Sequence, residues 1–327
     1  MDAEVVQSLK IMKIEEKLKS QKGYQSDFIG EKFRVPFPHL GEANMENVAF
    51  LAGSEQDFVL HYQNYSVVQN KKRKLPFFTA ANINGALFQE LERKDAWRID
   101  PRIDRKHQWG AELYSAEKSN FDKGHMTKRE DVQWGSTKEE ARAGAEFTFF
   151  YTNSVPQVGN LNRNIWRSLE DYILKKETAK RGMKINMFTG PVLDDGDPIF
   201  KTEVNGDKRI RIPTLFWKII YFRRDDDDKL YKLGFLMGQE ELLLKNGIVF
   251  PRDSSRDVFM EFTQADTYQV KLSTIEELTN MRFPPAHELF KKSEATILSK
   301  IIKRVQAKDV LGDENNGPDY EIEGLVL

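Results

Sequence analysis

The chain has 327 residues, with 50 basic against 51 acidic side chains, 39% hydrophobic and 31% charged residues, and no cysteine. This globular composition allows one large domain or two small ones. It excludes disulfides, thiolate zinc sites and cysteine nucleophiles, and its near-neutral charge excludes a polycation that coats nucleic acid by counterion release alone.

Residues 2–22 read as a charged amphipathic helix, with Val5, Leu9, Met12, Ile14 and Leu18 at roughly helical spacing and Gly23 as its stop. The amino-terminal residues lack a basic stretch followed by an apolar run and a cleavage site, so a cytoplasmic location is expected, with secretion by another route left open. No run of about 18 apolar residues is present, so no membrane-spanning helix is expected. Phe58–Tyr62 and Tyr65–Gln69 read as strands joined by a Gln-Asn turn, and Leu75–Asn82 as a third. Trp97–Pro101 has Asp-Pro turn character, and His107 reads as a surface histidine in a polar loop. Lys71–Lys74, Arg102–Lys106 and Lys175-Lys176 are local basic clusters, read as solvated faces.

Ser136 to Glu139 forms a capping box for a helix through about Ala145. Glu146–Thr152 is rich in β-formers and reads as a central strand, and Asn153–Asn160 as irregular. A helix is expected from Asn162 to about Lys180, ended by Gly182, and a strand over Ile185–Thr189. Asp194–Pro198 is a turn, lacking the acidic residue that closes a calcium loop. Leu215–Phe222 and Leu230–Leu236 read as a hairpin across an acidic, solvated tip. Ser273 to Glu276 reads as a second capping box, His287–Gln306 as an amphipathic helix, and Val310–Leu327 as a flexible acidic tail. The simplest organisation is a helical extension over residues 1–45, a main domain over 46–290, and a helix with a tail over 291–327.

The chemistry concentrates in Phe121-Asp122-Lys123-Gly124-His125-Met126, which holds one of only five histidines. Hydrolysing a phosphodiester needs a base to take a proton from water, and neutral imidazole suits that task near pH 7. It also needs charge neutralisation, which one hard divalent cation with oxygen ligands can supply. Asn162 and Glu170 offer oxygen; eight positions apart on a helix, they are separated by roughly 12 Å along the axis and about 80° around it. That spacing favours one direct ligand, Asn162, with Glu170 gripping a metal-bound water, an arrangement magnesium or manganese tolerates. The bland alternatives are a turn histidine and an Asn162 that merely caps its helix.

Asp122-Lys123-Gly124-His125, then Asn153-Ser154-Val155-Pro156-Gln157, then Asn162 through Trp166 and Leu169 to Glu170 resemble the signature of the DNA/RNA non-specific endonuclease family. These are endonuclease G-like ββα-metal nucleases. Their motif runs Asp-Arg-Gly-His, Asn-x-x-Pro-Gln and Asn-x-x-x-Trp-x-x-Leu-Glu. The resemblance extends from about Asn64 to Phe283 and takes in Leu75–Asn84, Trp97–Pro101, Thr189–Val192, Ile212–Lys218 and Tyr268–Thr279. It implies an α+β fold, with a ββα-metal core and a central, mostly antiparallel sheet flanked by helices.

It also implies residue roles. His125 is the general base and Asn162 the single protein ligand of hydrated Mg2+, for which Mn2+ can substitute. Glu170 binds a water of that ion, Asn153 and Gln157 shape the site around it, Asp122 orients the strand-end turn, and Trp166 and Leu169 are core. One departure stands out: the family's arginine after the aspartate is Lys123, which keeps the charge but loses the two-pronged phosphate contact. A family arginine expected just before Trp97 has Arg93 and Lys94 as its candidates. Those two, with Lys123, Arg163 and Arg167, are the expected nucleic-acid contacts.

The expectation is a metal-dependent endonuclease without sequence preference, cutting DNA, RNA or both. Its rival is a catalytically weak or inactive nucleic-acid-binding protein on the same fold. A regulated intracellular effector is a third reading, with the two terminal segments as handles for a homodimer contact or a regulatory protein.

Overall fold

In chain order, the early strands are β1 (His39–Leu40), β2 (Val59–Tyr62), β3 (Tyr65–Asn70), β4 (Leu75–Asn84), β5 (Phe121–His125) and β6 (Ser154–Val158). They are followed by β7 (Lys184–Pro191), β8 (Leu215–Arg224), β9 (Lys229–Gly238), β10 (Thr267–Val270) and β11 (Met281–Arg282). The last are β12 (His287–Glu288), β13 (Thr296–Ile297), β14 (Ser299–Ile302) and β15 (Tyr320–Glu323). The two longest helices among the described residues are α1 (Lys138–Phe147) and α2 (Leu272–Thr279). This computed structural model describes residues 12, 14–159, 182–224, 226–252, 262, 266–302 and 320–326.

One nine-stranded sheet orders them β13-β10-β9-β8-β7-β4-β3-β2, antiparallel throughout, with β12 beside β9 in parallel. Strands β5 and β6 form a separate two-stranded ribbon. The chain is therefore α+β, as expected.

Burial explains why the long strands read as nearly continuous apolar runs. In β8, Leu215, Trp217, Ile219 and Tyr221 enter one core, while Phe216 and Ile220 enter the other. A strand covered on both faces loses the polar half of its alternation. The core of Phe216 and Ile220 also receives Phe121, Val155 and Val158 of the ribbon. The core of Leu215, Trp217, Ile219 and Tyr221 receives Leu272 and Ile275 of α2. The expected Gln-Asn turn joins β2 to β3, with Asn64 at φ 67 and its amide donating to the carbonyls of Val132 and Trp134. The expected hairpin of β8 and β9 is present in full register.

Residues 14–19 are helical, and Leu18 is buried in a third core with Tyr62 and Tyr65; the remainder of the expected helix before residue 12 lies outside the described residues. Gly23 adopts φ 69, where a Cβ would lie 2.2 Å from the His61 ring.

Six expectations are corrected. Glu146–Thr152 is not a strand: α1 runs to Phe147 and a 3-10 turn covers Tyr151–Asn153. Phe147 and Phe150, three residues apart, share one buried cluster, so the aromatic richness reflects burial of a helix end and not a pleat. The cap of α1 also shifts by one residue: the Thr137 hydroxyl accepts from the Glu140 N–H, and the Glu140 carboxylate accepts from the Ser136 N–H. Asn153–Asn160 is not irregular, because Ser154–Val158 pairs with β5. Pro156 fits there because a two-stranded ribbon leaves alternate N–H groups unpaired.

Ser273 does not cap α2. The helix starts at Leu272, whose N–H donates to the Glu288 carboxylate 2.5 Å away, a partner 16 residues distant. Finally, His287–Ile302 is a succession of short strands, not a helix, and Tyr320–Glu323 pairs with β14. Ile322 is buried, and the Val326 backbone exchanges two hydrogen bonds with the Gln269 amide, so this end of the chain packs against the sheet. Residues 303–319 lie outside the described residues.

Gly144 sits where α1 crosses the 129–132 turn, and a Cβ there would lie 2.1 Å from the Val132 carbonyl oxygen. Backbone cannot yield as a side chain can. Gly144→Ala is expected to destabilise the protein by about 3 kcal/mol, read by urea unfolding; a change within about 0.5 kcal/mol would show that α1 can slide off the turn.

Candidate active site

The ribbon is the platform of the site. Asp122 pairs with Gln157, Lys123 with Pro156, Gly124 with Val155 and His125 with Ser154. Strand alternation places Lys123 and His125 on one face, and Asp122 with Gly124 on the other. Both members of the first pair meet Trp97: the His125 ring lies 4.7 Å from the Trp97 ring, and the Lys123 ammonium 5.9 Å from it. Lys123 also lies 5.8 Å from the Tyr114 ring.

Gly124 is needed because the buried Gln157 side chain crosses it: a Cβ would come within 2.2 Å of the Gln157 amide. Gln157 thus packs under the ribbon, on the face away from His125. Asp122 lies on that same far face, and a Cβ at Gly159 would be 3.2 Å from its carboxylate.

His125 is wedged between aromatic rings. Phe149 meets it edge-on at 5.2 Å, and Trp97 leans over it at 52°. Its Nε2 is closed off from solvent and has no hydrogen-bond partner among the described residues. Burial lowers its pKa to about 4, helped by the Arg93 guanidinium and opposed by Glu130 and Asp95. The imidazole is therefore neutral across the physiological range.

Of the two candidates for the missing arginine, Arg93 is the one placed beside the histidine. Its guanidinium lies 5.9 Å from the Phe149 ring and grips Asp95 at 2.7 and 3.1 Å. Lys94 is 78% exposed and pairs with Glu92 at 3.8 Å. Asn162, Arg163, Arg167 and Glu170 lie outside the described residues.

Asn153, expected to shape the site, bonds to backbone. It is fully buried, its Oδ1 accepts from the Thr127 N–H, and its Nδ2 donates to the carbonyls of Thr127 and Thr148. Its backbone carbonyl takes the Met126 N–H as well. It clamps the chain just after His125.

The geometry accords with the family comparison. The description "DNA/RNA non-specific endonuclease" matches residues 42–288. The chain belongs to this family. Among relatives of this family member, "Uncharacterized protein y4fB" of Sinorhizobium fredii (strain NBRC 101917 / NGR234) is 36% identical over 235 residues, 68% of this chain and 33% of that protein. The mitochondrial nuclease EXOG of Danio rerio is 26% identical over 195 residues, 56% of this chain and 52% of that one. Mitochondrial endonuclease G of Homo sapiens is 29% identical over 107 residues, 31% of this chain and 33% of that one. The matches thus span a third to about half of these relatives' lengths. A crystal structure of an EndoG/EndoGI complex aligns at a TM-score of 0.48 with 20% identity, covering 69% of this chain and 85% of that one.

Several residues that position the segments around His125 were not singled out in the sequence. Phe149 sits in an aromatic run that reads as a strand. Arg129 is buried and donates to the Leu91 and Glu92 carbonyls, which sets the loop carrying Arg93. Gln239 accepts from the Val158 N–H and donates to the Pro156 carbonyl, tying the ribbon to the end of β9. Asp100 is fully buried, takes hydrogen bonds from Tyr62 and Arg102, and holds the Trp97 turn. Of these, only the Asp-Pro turn could be read locally.

Proposed function

We propose that this protein is a metal-dependent endonuclease cutting DNA, RNA or both without sequence preference, with His125 as general base. The observation that carries this reading is a neutral imidazole held rigidly between Trp97 and Phe149, on the ribbon face that also bears Lys123. His125 is half-buried; with Nε2 closed off, Nδ1 is the nitrogen left to take a proton from water as it attacks phosphorus, and the lowered pKa keeps the ring unprotonated at working pH.

The cation is one held mainly by water with one neutral oxygen donor, the part assigned to Asn162, with Glu170 holding one of its waters. When bound, a magnesium ion would neutralise charge at the phosphate and stabilise the leaving oxygen. The chain's own residues do the rest. Trp97 and Phe149 hold the imidazole ring, Arg93 and Lys123 draw phosphate toward it, and Asn153 fixes the backbone behind it.

Incubating the protein with plasmid DNA and with RNA, in magnesium and then in EDTA, tests the reading. Cleavage is expected only with the metal; nicking that persists in EDTA, or no cleavage in either, would sink it. The pH profile of kcat/KM should be flat down to about pH 5 and fall with a limb near 4, where His125 takes up a proton. The sign follows from the environment: Arg93 opposes the imidazolium, so Arg93→Ala should move that limb to higher pH. Lys123→Arg, which restores the forked contact, is expected to raise kcat/KM about fivefold, and a fall would mean that the pocket by Trp97 and Tyr114 is shaped for an ammonium.

A further inference from the structure

At the start of β9, an open groove of about 670 Å³ lies between Lys229, Tyr231, Lys271 and the segment Ala286–Lys291. Tyr231 and Gly238 are seven positions apart, so about 23 Å of strand separates this groove from the end where Gln239 holds the ribbon.

Three rings stand in a row there. Phe222 stacks on Tyr231 at 6.1 Å and 27°, and Tyr231 faces His287 at 5.5 Å. The Arg224 guanidinium lies 5.1 Å over Tyr231, and His287, being exposed, ends the row. The groove's own lining is net positive, three lysines against Glu288, with Asp227 of the neighbouring acidic tip taking the Tyr231 hydroxyl hydrogen bond. Lys229 shares Asp227 at 3.4 Å, whereas Lys271 and Lys291 form no ion pair among the described residues. The one acidic residue of the lining, Glu288, is engaged by the Leu272 N–H.

Flat rings flanked by cations are what single-stranded nucleic acid requires: π faces for bases, ammonium groups for phosphates. An acidic peptide would use the cations and leave the rings idle. We propose that this groove is a second nucleic-acid site, an exosite that holds a single-stranded stretch of the substrate away from His125. It rests on the nuclease reading above for its purpose, though not for its binding chemistry.

Fluorescence anisotropy of labelled oligo(dT), with His125→Ala protein in EDTA, measures the binding without cleavage. Lys271→Glu/Lys291→Glu should weaken binding at least tenfold and flatten the salt dependence by about 1.4 log units per log unit, for two lost phosphate contacts on a single strand. Tyr231→Leu should cost about tenfold in affinity without changing that slope, since stacking releases no counterions. Unchanged affinity and slope in the double variant would overturn the exosite. So would displacement of the oligonucleotide by polyglutamate at equal charge concentration, which would assign the groove to acidic peptides. Hydrolysis of bis(4-nitrophenyl) phosphate by the wild type, a diester too small to reach the groove, separately reads the nuclease proposal. Its failure would leave the binding result standing.

Discussion

Replacing His125 by alanine is expected to lower kcat/KM on plasmid DNA by about 10²- to 10⁴-fold, the usual contribution of a positioned base. The same change should leave stability within about 1 kcal/mol of wild type, because two effects oppose each other. Removing the ring loses its contacts with Trp97 and Phe149 at 4.7 and 5.2 Å. It also removes Nε2, a buried polar atom with no partner among the described residues, whose desolvation weighs against the fold. A functional group that destabilises its own surroundings is the expected signature of a site kept for chemistry. Steady-state kinetics and urea unfolding on one preparation check both halves. A variant that unfolds readily while the remaining folded fraction cuts normally would make His125 a core residue and remove it from the mechanism.

Asn153→Ala is expected to destabilise by about 3–5 kcal/mol. It strips the partner from the Thr127 N–H and from the carbonyls of Thr127 and Thr148, all in a fully buried region, and each unmet group costs about 1–3 kcal/mol. Against a total stability of about 5–15 kcal/mol, such a loss threatens the fold itself. Asn153→Asp separates the two roles considered for this residue. A carboxylate keeps an acceptor for Thr127 but sets negative oxygen against two carbonyls, so it should be as damaging as alanine. If Asn153 instead served a metal-bound water through its oxygen, aspartate would retain both stability and activity. Thermal unfolding of both variants, beside cleavage rates at a temperature where each is folded, decides between the two. His125 should also lose its position in both, so kcat is expected to fall even in molecules that remain folded.

Much of this architecture is local. The Gln63-Asn64 turn, the long buried strands and the Gly124-His125 strand end all follow from residues adjacent in sequence, because turn chemistry and apolar runs are short-range properties. The candidate base was legible for the same reason: a histidine behind a glycine, in a motif with fixed spacing. Where reading failed, a partner distant in sequence had made the choice. Phe147, Phe149 and Phe150 look like strand residues, yet the close seat of Gly144 on Val132 lets a helix run to Phe147. Ser273 looks like a cap, but Glu288 supplies the acceptor. The segment from His287 has helical spacing, yet the edge of β9 offers it backbone partners.

The sequence by itself determined the α+β class, the chemical identity of the ribbon and the substitution of lysine for arginine at position 123, since each resides in a contiguous pattern. Tertiary structure alone decided that Arg93 and not Lys94 stands beside the histidine, that Asn153 braces backbone, and that burial takes the His125 pKa to about 4. A pKa depends on what surrounds a ring in space, and the rings around His125 come from residues 24 or more positions away, Trp97 and Phe149. No local pattern encodes that enclosure; only the packing of the ribbon against the 97 and 149 segments creates it.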